Sequence, residues 1–242
     1  MELDKDNLPE HIAIILDGNR RWAKDRGLST KEGHKAGSKN LENIALKCNE
    51  LGIKYLTVYA FSTENWKRSK DEVSALMFIL KAYLDSFSKK ADSYNIKLSL
   101  SGDISVLSES LQKSINTAIE KTKNNTGLVF NIAFNYGGRQ EIVRAVKIIG
   151  EKLLLGEIKL DDINENLISD NLYTKGMPDP DLMIRTSKEL RTSNFLPWQL
   201  TYTEFYFPDV HWPEFDEEQL KLAIYEYQKR NRRFGGRPDE TK

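Results

Sequence analysis

Cysteine is almost absent from this chain. Cys48 is the only one in 242 residues, which excludes a disulfide framework and any cysteine-rich zinc site. It falls in a helical pattern and reads as a small buried hydrophobe. Net charge is absent too: 36 Lys and Arg balance 36 Asp and Glu, so no basic field advertises nucleic acid as a partner and any cationic site has to be local. Long hydrophobic runs are missing. The longest, residues 75–80, is far too short to span a bilayer, and residues 1–10 are polar and acidic, unlike a secretory leader. The expected location is cytoplasmic, with peripheral membrane contact as the most that the surface would make. Internal repeats, low-complexity tracts and dividing linkers are also lacking, so residues 1–242 read as one domain with room for a sizeable core. No G-x-G-x-x-G or G-x-x-x-x-G-K-[ST] follows any strand candidate, which argues against a generic nucleotide-binding protein.

What the chain does have is alternation. Apolar runs at residues 12–16, 55–61, 96–100, 128–134, 182–185 and 204–207 read as strands. Helical periodicities occupy residues 35–51, 70–94, 108–123, 140–155 and 216–232, several of them left at Gly or Asn-rich turns. This order predicts an α/β fold with a mostly parallel central sheet flanked by helices. Residues 157–180 are the most irregular stretch and the expected mobile connection.

Chemistry-bearing residues gather at strand ends. Residues 11–23 read His-Ile-Ala-Ile-Ile-Leu-Asp-Gly-Asn-Arg-Arg-Trp-Ala: a buried strand, a carboxylate, a turn eased by Gly18, and a cationic helix start. Asp17 thus lands where open α/β sheets place ligands, with Asn19, Arg20, Arg21 and the helix-opening amides as candidate phosphate contacts. After the second strand comes Tyr-Ala-Phe-Ser-Thr-Glu-Asn-Trp-Lys-Arg at residues 59–68, dense in hydroxyls, carboxylate, amide, indole and guanidinium; Ser62 or Thr63 taken singly reads as a helix cap. The turn after the fourth strand, Asn135 to Gln140, is equally a corner for close packing or a phosphate contact. Arg185 at the end of the fifth strand, Arg191, and Ser193 after Thr192 have the chemistry of an anion clamp. Glu204, flanked by aromatics, calls for a metal or arginine partner.

These segments, with Gly-His-Lys-Ala-Gly at 33–37 and Arg-Arg-Phe-Gly-Gly at 232–236, resemble the cis-prenyltransferases, the isoprenyl transferase family, in the family's order over nearly the whole chain. The resemblance implies a homodimer whose subunit carries an apolar tunnel beside the sheet. It implies a reaction: Mg2+-dependent sequential addition of isopentenyl diphosphate to an allylic diphosphate such as farnesyl diphosphate, each new double bond cis, giving a long-chain polyprenyl diphosphate of the undecaprenyl type used as a cell-wall carrier precursor. By resemblance Asp17 holds the metal on a diphosphate, and Gly18, Asn19, Arg20, Arg21 and Trp22 form the phosphate loop. His34, Arg68 and the segment around Thr30 add diphosphate contacts, although His34 alone is equally a helix-start hydrogen-bonding residue. Ser62, Thr63, Glu64, Asn65 and Trp66 position substrates; Asn65 matches the assigned proton acceptor, yet an amide is a poor base and an orienting role suits it better unless a diphosphate oxygen takes the proton. Arg185, Arg191, Thr192 and Ser193 match the isopentenyl diphosphate clamp, Glu204 a second metal ligand near the partner subunit, and residues 232–236 a segment that closes over the site.

Departures from the family pattern bear on affinity more than on the reaction. Thr30 stands where an Arg is usual, with Lys31 as a candidate substitute; Lys188-Glu-Leu-Arg191 loses a glycine and a polar side chain; Ser69 replaces a common Pro. The apolar stripe of Val73, Leu76, Met77, Leu80, Leu84 and Phe87 is expected to form one tunnel wall. A single Asp161-Asp-Ile-Asn-Glu165 does not make the paired aspartate-rich motifs of the all-helical trans enzymes and reads as a solvated loop. The alternative function is a non-catalytic prenyltransferase-like binding subunit, which would be expected to lack the phosphate-loop and clamp residues present here.

Overall fold

The structure is a computed structural model that describes residues 2–230. The expected closing segment at 232–236 lies outside them. Six strands form one sheet in the order β3-β4-β2-β1-β5-β6: β1 (His11–Ile15), β2 (Tyr55–Ser62), β3 (Lys97–Ser101), β4 (Val129–Tyr136), β5 (Leu182–Arg185) and β6 (Glu204–Tyr206). Every pairing is parallel, as the alternating order requires of crossover connections. β1 sits near the middle and is buried along its whole length, which explains its unbroken apolar run.

Helices cover the sheet: α1 (Asn19–Asp25), α2 (Thr30–Leu51), α3 (Lys70–Ser93), α4 (Glu109–Thr122), α5 (Gly138–Leu154), α6 (Glu165–Ser169) and α7 (Glu217–Gln228). The larger core joins α2, α3, α4 and α7 to one face, with Phe87, Phe130, Trp212 and Phe215 fully enclosed. A smaller core on the other face gathers Tyr59, Tyr136, Phe195 and Leu196. Cys48 is buried in the first, and burial pushes its thiol up to about 12, so it stays protonated and unreactive.

Two features go beyond the periodicity. α2 begins at Thr30, five residues before the expected start, because Ser29 and Glu32 form a reciprocal capping box. Its glycines are there for contact: a Cβ on Gly33 would lie 2.2 Å from the Asn19 carbonyl oxygen, and one on Gly37 2.2 Å from Asn19 Oδ1. α1 can therefore lie directly against α2, which fixes the loop after β1 in place. Within the irregular stretch, α6 forms a short helix capped by Asn164.

Candidate active site

Asp17 follows β1, and its carboxylate is gripped from two sides. Arg21 Nη2 donates to Oδ1 at 2.9 Å and Arg185 Nη2 to Oδ2 at 2.8 Å. Burial alone would raise its pKa, but the hydrogen bonds and charges of Arg185 and Arg21 outweigh this and hold it below the usual carboxylate range. The backbone is pinned too: the Thr186 hydroxyl donates to the Asp17 carbonyl at 2.7 Å and accepts from the Asp17 amide at 3.0 Å. Gly18 takes φ 104°, and a Cβ there would fall 2.1 Å from Ser187 Oγ, so the turn admits only glycine.

Arg185 is buried at 4 % exposure. Besides Asp17 it donates to Ser193 Oγ at 2.8 Å and to the Arg191 carbonyl, while its Nε is enclosed without a partner. The loop that supplies these acceptors is strained, with Ser187, Lys188, Ser193, Asn194 and Leu196 all at positive φ. The Arg191 side chain, 64 % exposed, points instead to Glu189, which also binds Arg21 at 2.8 Å. The expected clamp is thus half assembled: Arg185 and Ser193 line a common cavity, and the Arg191 guanidinium stays outside it.

That cavity encloses about 1350 Å3 between the sheet and helices α2 and α3. Its mouth holds Asp17, Gly18, Asn19, Arg20, Arg21, Thr30, His34, Ser62, Glu64, Asn65 and Arg68. Asn65 Oδ1 accepts the Ser62 amide at 3.1 Å, an orienting bond that leaves the side-chain NH2 free to face a substrate. The interior is apolar, formed by Leu41, Leu76, Ile79, Leu80, Tyr83, Ile132 and Phe134. Carboxylate and cations at one end with hydrocarbon at the other suit an amphiphile with an anionic head and an apolar tail.

Other expected site residues sit apart from the cavity. Trp22 stacks beneath the Arg26 guanidinium, 4.7 Å from its ring centroid, and Trp66 donates to Asn135 Oδ1 at 2.7 Å. Thr63 bonds to Glu64, and Thr192 lies in the strained loop. Glu204 on β6 binds Arg230 at 2.7 Å, so it has the arginine partner its surroundings call for. The Gly-Gly turn after β4 resolves to close packing, since a Cβ on Gly138 would meet Pro197 Cδ at 1.9 Å.

A family model described as "Putative undecaprenyl diphosphate synthase" matches residues 15–235. The chain belongs to this family. Among curated relatives, the isoprenyl transferase of Clostridium perfringens is 52 % identical over 97 % of this chain and 92 % of its own. The ditrans,polycis-undecaprenyl-diphosphate synthase ((2E,6E)-farnesyl-diphosphate specific) of Micrococcus luteus is 49 % identical over 95 % of this chain and 92 % of its own. Among solved structures, lavandulyl diphosphate synthase of Lavandula x intermedia in complex with dimethylallyl diphosphate superposes with TM-score 0.93 at 43 % identity, covering 95 % of this chain and 99 % of that one. A Campylobacter jejuni chain described as a probable undecaprenyl diphosphate synthase superposes with TM-score 0.78 at 34 % identity over the same shares.

Within this prenyltransferase fold the departures find local explanations. Ser69 caps α3 by accepting the Glu72 amide, a role that suits its hydroxyl. Thr30 opens α2 and lines the mouth, Lys31 is exposed outside the cavity lining, and Lys188 binds Asp209 at 3.1 Å. Sequence reasoning overlooked Glu189 and Glu72, carboxylates that bind the cations of the mouth, and Ile79 and Tyr83, which continue the apolar wall. It also set the α3 wall slightly off. Leu76, Ile79, Leu80 and Tyr83 line the cavity, although Leu80 and Tyr83 also belong to the main core and Leu76 packs against it. Val73 and Met77 pack on that core without lining the cavity, and Leu84 and Phe87 lie within it. The apolar surface of α3 is wider than one stripe, and only part of it also bounds the cavity.

This division makes the wall testable. Leu76→Phe is expected to shorten the prenyl products with a small change in melting temperature, because the cavity accepts the added volume. Val73→Phe is expected to cost about 1–3 kcal/mol by overpacking and to leave product length unchanged. Chromatography of products beside thermal melts reads both, and identical product ladders in folded Leu76→Phe and wild type would refute the wall.

Proposed function

We propose that this chain is an isoprenyl transferase that condenses isopentenyl diphosphate repeatedly with an allylic diphosphate such as farnesyl diphosphate, each time in the cis sense, towards an undecaprenyl-type product. The observation that carries this reading is the cavity itself: a carboxylate and converging cations at the mouth, and a hydrocarbon-lined interior beyond. The farnesyl and undecaprenyl specificity named for the Micrococcus luteus relative supports the choice of starter and product class.

The donor set fits a magnesium ion brought in on a diphosphate. Asp17 supplies hard carboxylate oxygens beside guanidinium groups, and magnesium sites commonly combine one or two carboxylates with substrate phosphates and water. Bound there, the ion would neutralise charge growing on the leaving diphosphate. Arg20, Arg21, His34 and Arg68 act on the same oxygens as the allylic C–O bond breaks, and Arg185 with Ser193 holds the diphosphate of isopentenyl diphosphate. The double bond of isopentenyl diphosphate then attacks the allylic carbon, and loss of a proton forms the new double bond. Asn65 orients the substrate in this step, and a diphosphate oxygen takes the proton. Leu76, Ile79 and Leu80 keep water from the cation.

The functional unit is a homodimer. On α5, Val143, Val146 and Leu154 are exposed along one side of the helix, apolar surface that a second copy would cover. Glu204, away from the cavity, would serve as a metal ligand only in a site completed across that dimer. No helix among the described residues is long and apolar enough to cross a membrane. The reading is of a cytoplasmic enzyme with peripheral membrane contact for product release. Incubation of the purified chain with radiolabelled isopentenyl diphosphate, farnesyl diphosphate and Mg2+ is expected to move label into an extractable long-chain lipid. No incorporation with either farnesyl or dimethylallyl diphosphate would overturn the assignment.

A further inference from the structure

Glu72 lies in the first turn of α3 and outside the cavity lining, yet three residues that do line the mouth converge on its carboxylate. Arg68 Nη1 donates at 2.9 Å, His34 Nε2 lies at 3.3 Å and Arg20 Nη1 at 3.8 Å. They come from separate places: Arg20 from α1, His34 from α2 and Arg68 from the loop after β2. The carboxylate is 11 % exposed. Burial works to raise its pKa, but the Arg68 charge, the His34 hydrogen bond and the Arg20 charge prevail and lower it, which keeps it ionised.

We infer that Glu72 is a positioning residue that gathers Arg20, His34 and Arg68 from behind into one cradle for the allylic diphosphate. The inference rests on the prenyltransferase reading for the identity of that ligand. Two guanidinium groups that face one anion repel one another before it arrives, and their long side chains lose rotamer freedom when they are held. Burial lowers the pKa of His34, so its imidazole joins them as a hydrogen-bonding group. A fixed carboxylate behind them offsets the repulsion and bears the ordering cost in the free enzyme, so the diphosphate meets cations already in place. The same carboxylate opens α3, the helix whose later turns line the apolar interior. Head group site and tunnel wall are thereby held in register by one side chain.

A simpler role is available, because an acidic residue in a first turn also favours the helix dipole. The two roles separate in binding. If Glu72 only stabilises α3, its removal lowers the melting temperature and leaves anion affinity alone or improves it, since the mouth gains one unit of positive charge. If Glu72 positions the cradle, affinity falls despite that gain. The test is calorimetric titration of inorganic pyrophosphate with Mg2+ into wild type, Glu72→Gln and Glu72→Asp, with steady-state kinetics and thermal melts on each. Glu72→Gln keeps the size of the side chain and one of its two acceptor oxygens, so it is the variant least prone to misfolding. It is expected to weaken pyrophosphate binding about tenfold and to raise KM for farnesyl diphosphate by a similar factor, with kcat and KM for isopentenyl diphosphate changed less than about threefold. Glu72→Asp is expected to recover part of the loss. Unchanged or tighter pyrophosphate binding by folded Glu72→Gln would overturn the inference and leave the function standing. Wild type that neither binds pyrophosphate nor incorporates isopentenyl diphosphate would overturn the underlying reading instead.

Discussion

Replacing Asp17 by Asn is expected to cut turnover by at least about 100-fold at saturating Mg2+ and both substrates, the scale of losing one preorganised group that acts on transition-state charge. The variant keeps the shape of the side chain but loses the anion that Arg21 and Arg185 share. It should also be less stable. Taking one partner from a fully buried pair costs about 3–5 kcal/mol, and partial exposure of the Asp17 side chain brings the expectation down to about 1–3 kcal/mol. The pH dependence has a definite sign. The pKa of Asp17 is lower folded than unfolded, so its contribution is complete above the unfolded value near 4 and disappears as pH falls through the folded value. Thermal melts stepped down through that range should therefore show a shallower acid decline for Asp17→Asn than for wild type. Near-wild-type turnover in the variant would remove Asp17 from the chemistry.

The parts of this molecule that were legible beforehand share one property: their signal is local. β5 runs from Leu182 to Arg185 as its four apolar-to-basic residues indicate, and Asp17 and Arg185 are readable as strand-end residues because a short apolar run precedes each. β1 stops one residue early, at Ile15, because the Asp17 amide turns back to the Ile15 carbonyl at 2.9 Å. The first turn of α2 went unread because Gly33 depresses helical propensity there, although Ser29 and Glu32 carried the capping signature. Gly33, like Gly37 further along, answers to α1, which is remote from any propensity argument. α1, at seven residues, is too short to show a full period beyond its start. The carboxylates were the least legible. Arg68 and Glu72, four apart, look like an ordinary solvated helix pair, and only the tertiary fold reveals that Arg20 and His34 reach the same oxygens. Glu189, between Arg21 and Arg191, is hidden by the same long-range pairing.

Arg185 and Arg191 resemble one another in sequence, but the structure sets different expectations for them. Arg185 is enclosed, bound to Asp17, Ser193 and the Arg191 carbonyl, and lines the cavity. Arg185→Ala should raise KM for isopentenyl diphosphate about 100-fold or more, lower kcat because Asp17 loses its support, and reduce the melting temperature by several degrees. Arg191 is exposed and held by Glu189, so it must swing about its side-chain bonds to reach a substrate. Arg191→Ala should raise the same KM by about tenfold, leave kcat within about twofold and hardly alter the melt, since little is buried with it. In both variants KM for farnesyl diphosphate should change much less, because the cradle of Arg20, His34 and Arg68 is untouched. Initial-rate kinetics with each substrate varied in turn separate these outcomes. Equal rises in both Michaelis constants would contradict a division into two diphosphate sites, and an Arg191→Ala effect as large as that of Arg185→Ala would show that the exposed guanidinium closes fully onto the bound substrate.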